Sequence, residues 1–226
     1  MNELLFILTF VAALGLVLGA FRLGIVYIYA FMATVGTLAF FLAPLVVSIA
    51  GFAFALSELF YATLFFSTDV ISEHYGKRKA HEIVWLVVVV SVAIALFTAV
   101  ATMFIPHAVD FVQPHIKAIL AISPRILLAG LVMFIVEQHL DVWLYHKIRE
   151  KTKGTKLWLR NNLATGATQL LDVLVFYPLA FYGVYENLFE LMLAALIFKL
   201  ILAVFDTPFI YLSRKFRPKE LRDQNG

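Results

Sequence analysis

Long apolar runs separated by short charged stretches dominate the chain. A membrane-spanning helix needs about 20 apolar residues to cross roughly 30 Å of hydrocarbon. Runs of that kind predict helices at about residues 4–21, 83–104, 126–145, 163–182 and 188–212. Between Arg22 and Glu58 there is no charged residue, and the stretch is too long for one crossing. Pro44 and Gly51 offer the break, which adds helices at about 24–45 and 50–68. The pattern predicts an all-α integral membrane protein: a compact polytopic bundle of about seven transmembrane helices, forming one domain over residues 1–226.

The basic residues support an odd count. Arg22 follows the first helix, and Lys77, Arg78 and Lys79 follow the third. Six more, from Lys147 to Arg160, lie between the fifth and sixth, and five from Arg214 to Arg222 follow the seventh. With seven crossings, 15 of the 18 basic residues fall on one side. The positive-inside rule makes that side cytoplasmic. A multi-pass plasma-membrane protein is expected, with its N-terminus outside and its C-terminus in the cytoplasm.

Composition narrows the function. Of the 226 residues, 62% are hydrophobic and 15% charged, against roughly 45–50% and about 25% in a soluble domain. One globular core of this length cannot hide so much apolar surface, which excludes soluble enzymes and nucleic-acid binders. The net charge of +3 then reports topology, not a nucleic-acid partner. The chain has no cysteine and no cluster of metal-ligand spacing, so no disulfide, metal or cofactor is expected.

The polar residues inside the spans carry the functional signal. A charge at mid-bilayer costs at least about 2.5–3.5 kcal/mol, so it faces the bundle interior and marks a working site. Glu58, Glu137, Asp141, Asp172, Lys199 and Asp206 fall within predicted helices, and Asp69 sits at the inner end of the third. Glu137 and Asp141 are four apart, Gln169 and Asp172 three, and Lys199 and Asp206 seven, so each pair shares a helix face. Interhelical hydrogen bonds return only about 0.6 kcal/mol each, a poor reason to set five carboxylates against one lysine. A carboxylate- and amide-lined cavity between the third, fifth, sixth and seventh helices follows. With 22 Phe, 9 Tyr and 3 Trp available, it suits a flat, nitrogen-rich molecule that is hydrogen-bonded at its edge and stacked on its face. No nucleophile arrangement or phosphate loop accompanies it, so a carrier is expected, not an enzyme.

Thr68, Asp69, Glu73, Tyr75, Gly76 and Lys77 form a TD-x-x-x-E-x-YGK run, which resembles a signature of the queuosine-precursor transporter family, also called the vitamin uptake transporters. Gln138 and Asp141 match Q-x-x-D, and the run from Arg160, Asn161 and Asn162 through Thr165, Gln169 and Asp172 matches RNN-x-x-T…Q-x-x-D. Lys199 falls where the family carries a lysine in its last helix. The resemblance covers about residues 45–216 and implies a six-helix core, to which the first helix is an addition. It also implies import of a 7-deazaguanine base such as preQ0 or preQ1, destined for tRNA queuosine. Asp69, Gln138, Asp141, Gln169, Asp172 and Lys199 would act in binding or in the conformational change.

Together with the cavity argument, this makes Glu58, Gln138, Asp141, Gln169, Asp172 and Lys199 the expected substrate-binding residues. Asp172, with Gln138 or Gln169, would read the base edge while Lys199 balances charge. Asp69, Glu73, Tyr75, Gly76, Arg160, Asn161 and Asn162 form the expected gate or structural motif. Glu58 and Glu137 depart from the family pattern and suit a cationic aminomethyl-deazaguanine. An importer of another small heterocycle or vitamin, or a structural membrane subunit, are the competing readings. The expected partners are a small-molecule substrate and the lipid bilayer. No nucleotide-binding motif is present, so ATP would act only through an energising partner; that partner and a homo-oligomer stay open.

Overall fold

The computed structural model describes residues 1–43, 45–120, 124–183 and 187–222. In chain order the helices are α1 (Asn2–Leu23), α2 (Ile25–Leu42), α3 (Ser57–His74), α4 (Lys77–Ala101), α5 (Gln113–Leu120), α6 (Pro124–Lys151), α7 (Leu157–Phe181), α8 (Leu188–Ser213) and α9 (Lys219–Arg222). Two strands, β1 (Val46–Ile49) and β2 (Phe52–Ala55), stand between α2 and α3. Among the described residues, six helices are long and apolar enough to cross a membrane: α1, α2, α4, α6, α7 and α8.

The seventh long helix, α3, has 18 residues and stands outside that set, carrying Glu58, Asp69 and Glu73. It can be polar because protein surrounds it. It packs against α1, α2, α4, α6 and α8, and 12 of its side chains are buried. Three of its hydroxyls are satisfied by bonding back along the helix: Thr63 to the Leu59 carbonyl, Ser67 to Thr63 and Thr68 to Leu64, at 2.7–3.0 Å. The apolar core runs alongside, from Leu14 and Phe21 of α1 through Ile28 of α2 and Ile71 of α3 to Val84 of α4 and Val142 of α6.

The third helix starts later than its hydropathy predicts, because residues 46–55 form an antiparallel hairpin. Val46 pairs with Ala55 and Ile49 with Phe52. Ala50 and Gly51 both have positive φ, 50° and 84°, the backbone of a two-residue hairpin turn whose twist matches the strands. Pro44 lies outside the described residues. Non-helical backbone survives at membrane depth only where its polar groups are met by protein. Here each strand meets the other, and α1 clamps the turn. Glu3 Oε1 accepts from the Ala50 N–H at 3.1 Å, and Asn2 donates to the Ser48 carbonyl at 3.0 Å. Phe54 is wedged between Phe6 of α1 and Phe198 of α8, with ring centroids 5.2 Å from each.

At the opposite, basic end the turns are tight. Gly24 (φ 127°) joins α1 to α2 and Gly76 (φ 86°) joins α3 to α4. Such φ values suit a residue without Cβ. Glu220 of α9 closes this end: its Oε1 accepts from the Ile25 N–H at 3.0 Å, capping α2, and also from the Tyr75 hydroxyl. Two further boundaries differ from expectation. The polar loop between Pro106 and Pro124 contains α5, and α7 begins at Leu157, so Arg160, Asn161 and Asn162 lie in a helix, not in the basic loop. Arg160, counted above with the basic residues between the fifth and sixth predicted helices, is buried, and its guanidinium finds partners inside the bundle.

Gly36 of α2 lets α4 approach. A Cβ there would lie 2.7 Å from Val87 Cγ1, which is itself packed. Gly36→Ala is expected to cost about 1–3 kcal/mol through overpacking. Thermal unfolding in detergent checks this; an unchanged midpoint would show that the α2–α4 crossing is slack.

Candidate functional site

The charged residues converge on α3, α6, α7 and α8 in three tiers along the bundle. In the tier nearest the hairpin, Lys199 Nζ lies 2.7 Å from Glu58 Oε2 and 2.6 Å from Asp172 Oδ2. The Tyr177 hydroxyl donates to Glu58 Oε1 at 3.4 Å, and Glu137 faces Asp172 from α6. Glu58 occupies the first turn of α3, where the positive end of the helix dipole favours a carboxylate. Three acids thus share one base in a site nearly closed to solvent.

The middle tier is built of carboxyls and amides. Asp69 of α3 and Asp141 of α6 meet carboxyl to carboxyl. Thr165 donates to Asp141 Oδ1 at 3.2 Å, Asn161 Nδ2 to Asp206 Oδ1 at 2.8 Å, and Thr68 to Gln138 Oε1 at 2.7 Å. Asn162 bonds Thr207 at 2.7 Å and the Trp158 carbonyl at 2.8 Å, fastening α7 to α8.

The third tier, at the basic end, centres on Glu73. Arg160 of α7 pairs with its Oε2, Arg214 reaches Oε1 at 3.1 Å, and the Tyr145 hydroxyl donates to Oε2 at 3.1 Å. Arg160 also donates to the Gly154 carbonyl at 3.1 Å and lies 5.3 Å from the Tyr145 ring centroid. One carboxylate therefore ties α3 to α6, to α7 and to the turn that follows α8. In the α3–α4 turn beside it, the Tyr75 hydroxyl is pushed well above its ordinary pKa by burial and then by the Glu220 carboxylate it bonds.

Space is distributed differently from the charge. A cavity of about 440 Å³ lies in the half of the bundle that carries the hairpin, walled by α2, α3, α4, α6 and α7, with Glu58, Tyr61 and Tyr177 among its lining. Its size falls within the roughly 300–1,000 Å³ of small-molecule sites. Two spaces of about 10 and 50 Å³ adjoin Lys199; Gln169 lines the first, and Glu137 and Asp172 the second. A single water needs about 10–15 Å³, so these hold little more than solvent. Of the six expected binding residues, Glu58 is the one that lines the large cavity. Asp172, Lys199 and Gln169 stand behind it, while Gln138 and Asp141 belong to the middle tier. Between the third, fifth, sixth and seventh predicted helices (α3, α6, α7 and α8) the space is narrow, with Lys199 bonded to both Glu58 and Asp172, while the large cavity takes walls from α2 and α4 that the charge pattern did not indicate.

Tyr61, Tyr145, Tyr177 and Arg214 were missed. Tyr61 and Tyr145 had a readable signal, standing three residues after Glu58 and four after Asp141, on the same helix faces. Nothing in the local sequence singles out Tyr177 or Arg214.

Residues 55–213, from the end of β2 through α8, match the family described as "Putative vitamin uptake transporter". The chain belongs to the vitamin uptake transporter family. A curated relative from Bacillus subtilis (strain 168), named "Probable queuosine precursor transporter", is 31% identical over 179 residues, 78% of each chain. No solved structure matches the chain. As a member of a transporter family built on six long apolar helices, it is a multi-pass membrane transporter and not an enzyme. The matched stretch contains all three tiers except Arg214, which directly follows it, whereas α1, α2 and β1 precede it.

Proposed function

We propose that the protein imports a queuosine precursor, a 7-deazaguanine base of the preQ0 or preQ1 type. The observation that carries this reading is Glu58 at the wall of the 440 Å³ cavity, held from behind by Lys199 with Asp172, in a chain 31% identical to a transporter named for queuosine precursors. Glu58 can accept from the ring N–H and exocyclic amine of a guanine-like edge, with Tyr61, Phe134 and Phe176 offering faces for stacking. Three acids around Lys199 leave the tier short of positive charge, which favours preQ1 with its ammonium group over neutral preQ0. A base docked on Glu58 competes with Lys199, and loosening that pair frees α3 from α8. Asp172, Glu137 and Gln169 then become reachable. Glu73 with Arg160 and Arg214 closes the basic end, assisted by the turn at Tyr75 and Gly76 and by the α7–α8 fastening through Asn161 and Asn162. In the plasma membrane the basic end faces the cytoplasm and the N-terminus lies outside.

A thermal-shift panel on the purified full-length protein tests this. A ligand at one hundred times its Kd stabilises the fold by about 2.7 kcal/mol, so preQ1 should raise the unfolding midpoint more than preQ0, queuine or guanine. Glu58→Gln should weaken preQ1 by about ten-fold or more, the worth of a hydrogen bond to a charged group. A panel in which deazaguanines do nothing and a vitamin shifts the midpoint would establish the second reading, another heterocycle, which the family description favours.

A further inference from the structure

Three carboxyls of the middle tier have no assigned use. Asp69, Asp141 and Asp206 are 1%, 0% and 2% exposed. Among the described residues, the ion pairs of the interior are all made elsewhere, by Lys199 to Glu58 and Asp172 and by Arg160 and Arg214 to Glu73. Where Asp69 and Asp141 meet, both oxygens of Asp69 and Oδ2 of Asp141 lack a donor. Carboxylate oxygens only accept, so two of them face to face repel; a single proton between them turns the contact into a hydrogen bond. Asn161 adds a second observation. It is fully buried, gives its N–H to Asp206, and leaves its Oδ1 beside the cluster without a donor. Among the described residues no three acidic or histidine side chains are arranged to hold a metal ion.

We propose that Asp69 and Asp141, supported by Asp206, bind a proton whose release is coupled to opening of the basic end, so that solute import is driven by proton entry. The proposal rests on the transport reading above. The charged and titratable groups facing Asp69 are Asp141 and Tyr145 of α6, Asp206 of α8 and Arg160 of α7, with Glu73 four residues further along α3. The buried residues of α1, α2 and α4, which also pack on α3, are apolar or glycine.

Arg160 is the coupling device. It pairs with Glu73 and also faces Asp69. When the basic end opens and Arg160 parts from Glu73, its guanidinium is left beside Asp69. There it favours the carboxylate, and the proton passes to water at that end. Closure returns Arg160 to Glu73, and the pair takes a new proton from water on the hairpin side. One O–H bond is broken and one formed in each cycle, and one proton crosses with the solute.

Two measurements on the full-length protein decide this. In substrate-free protein at neutral pH, infrared spectroscopy should show a protonated-carboxyl C=O band that shifts in D2O and diminishes in both Asp69→Asn and Asp141→Asn. The amides supply the missing donor, so these variants should fold. Their elution profile and melting curve check that, and Asp206→Asn provides a third. In proteoliposomes, an acidic exterior should drive preQ1 accumulation that a protonophore abolishes. In Asp69→Asn the ratio of gradient-driven accumulation to preQ1–preQ1 exchange should fall about ten-fold or more. No such band, a band unaltered in both variants, or accumulation that follows a sodium gradient and ignores the protonophore overturns the proposal. A band that behaves as expected, with no deazaguanine bound or carried, sinks the substrate assignment instead; the gradient assay repeated with the solute the binding panel detects then decides the coupling.

Discussion

Lys199→Met is expected to destabilise the protein by about 3–5 kcal/mol and to abolish uptake, because removing one partner of a buried ion pair leaves an uncompensated charge. The loss is severe here because Lys199 serves two carboxylates at once, Glu58 at 2.7 Å and Asp172 at 2.6 Å, with Glu137 facing the second. Methionine matches the length of the stem and keeps its apolar packing, so the deficit reports charge and not a cavity. A companion variant separates this from simple damage. Lys199→Met combined with Asp172→Asn removes charge from both sides, and neutral, well-packed replacements of buried pairs are often tolerated. The double variant should regain much of the melting temperature while remaining inactive in uptake. If the single variant melts with the wild type, the three acids do not depend on Lys199 and the first tier is not an electrostatic cluster. Recovery of stability without recovery of transport would mark the lysine as a working residue and not a structural pin.

How much of this is legible in the sequence differs from residue to residue. The apolar runs that became α1, α4 and α8 report lipid contact, and lipid contact is what hydropathy measures. Hydropathy finds α3 but ends it near residue 68, short of His74, because a helix enclosed by five others answers to protein partners and carries Ser67, Thr68 and Asp69 where a lipid-facing helix would carry leucine. The hairpin was hidden for a related reason. Val46–Ile49 and Phe52–Ala55 are as apolar as a span, and only the backbone of Ala50 and Gly51 reveals the reversal. Spacing along one helix correctly gathered Gln169 with Asp172 and Lys199 with Asp206 on shared faces. It could not show that Lys199 looks toward Glu58 while Asp206 looks toward Asn161, since depth and facing partner are set by helix packing. The same limit explains the split between charge and space: a ladder of polar residues marks the path, whereas the cavity opens where small residues such as Ala55 and Ala95 leave room.

Arg160→Ala should bring the second large effect, about 3–5 kcal/mol of destabilisation, with Glu73→Ala costing a similar amount. Their double variant should fall short of additivity by about 0.5–3 kcal/mol, the range for residues in direct contact. Arg160→Lys will not rescue function. The guanidinium bonds Glu73 with one nitrogen and the Gly154 carbonyl with another, at 3.1 Å, while lying against the Tyr145 ring; an ammonium cannot span that set. Stability alone would leave open whether the cluster is a gate or a rivet, and the absence of cysteine from the natural chain supplies the deciding measurement. A cysteine at Thr165, buried above the Glu73 tier in the closed form, should resist a membrane-impermeant maleimide applied from the basic end of the wild-type background. Glu73→Gln removes the charge that holds Arg160 and Arg214 without removing the side chain, so it should shift the population toward the open basic end and raise the labelling rate there. If labelling stays slow while the melting temperature falls, the Glu73 cluster holds the helices together and the gate must be sought elsewhere. If labelling quickens at an unchanged fold, the pair that sets the proton's release also sets the opening.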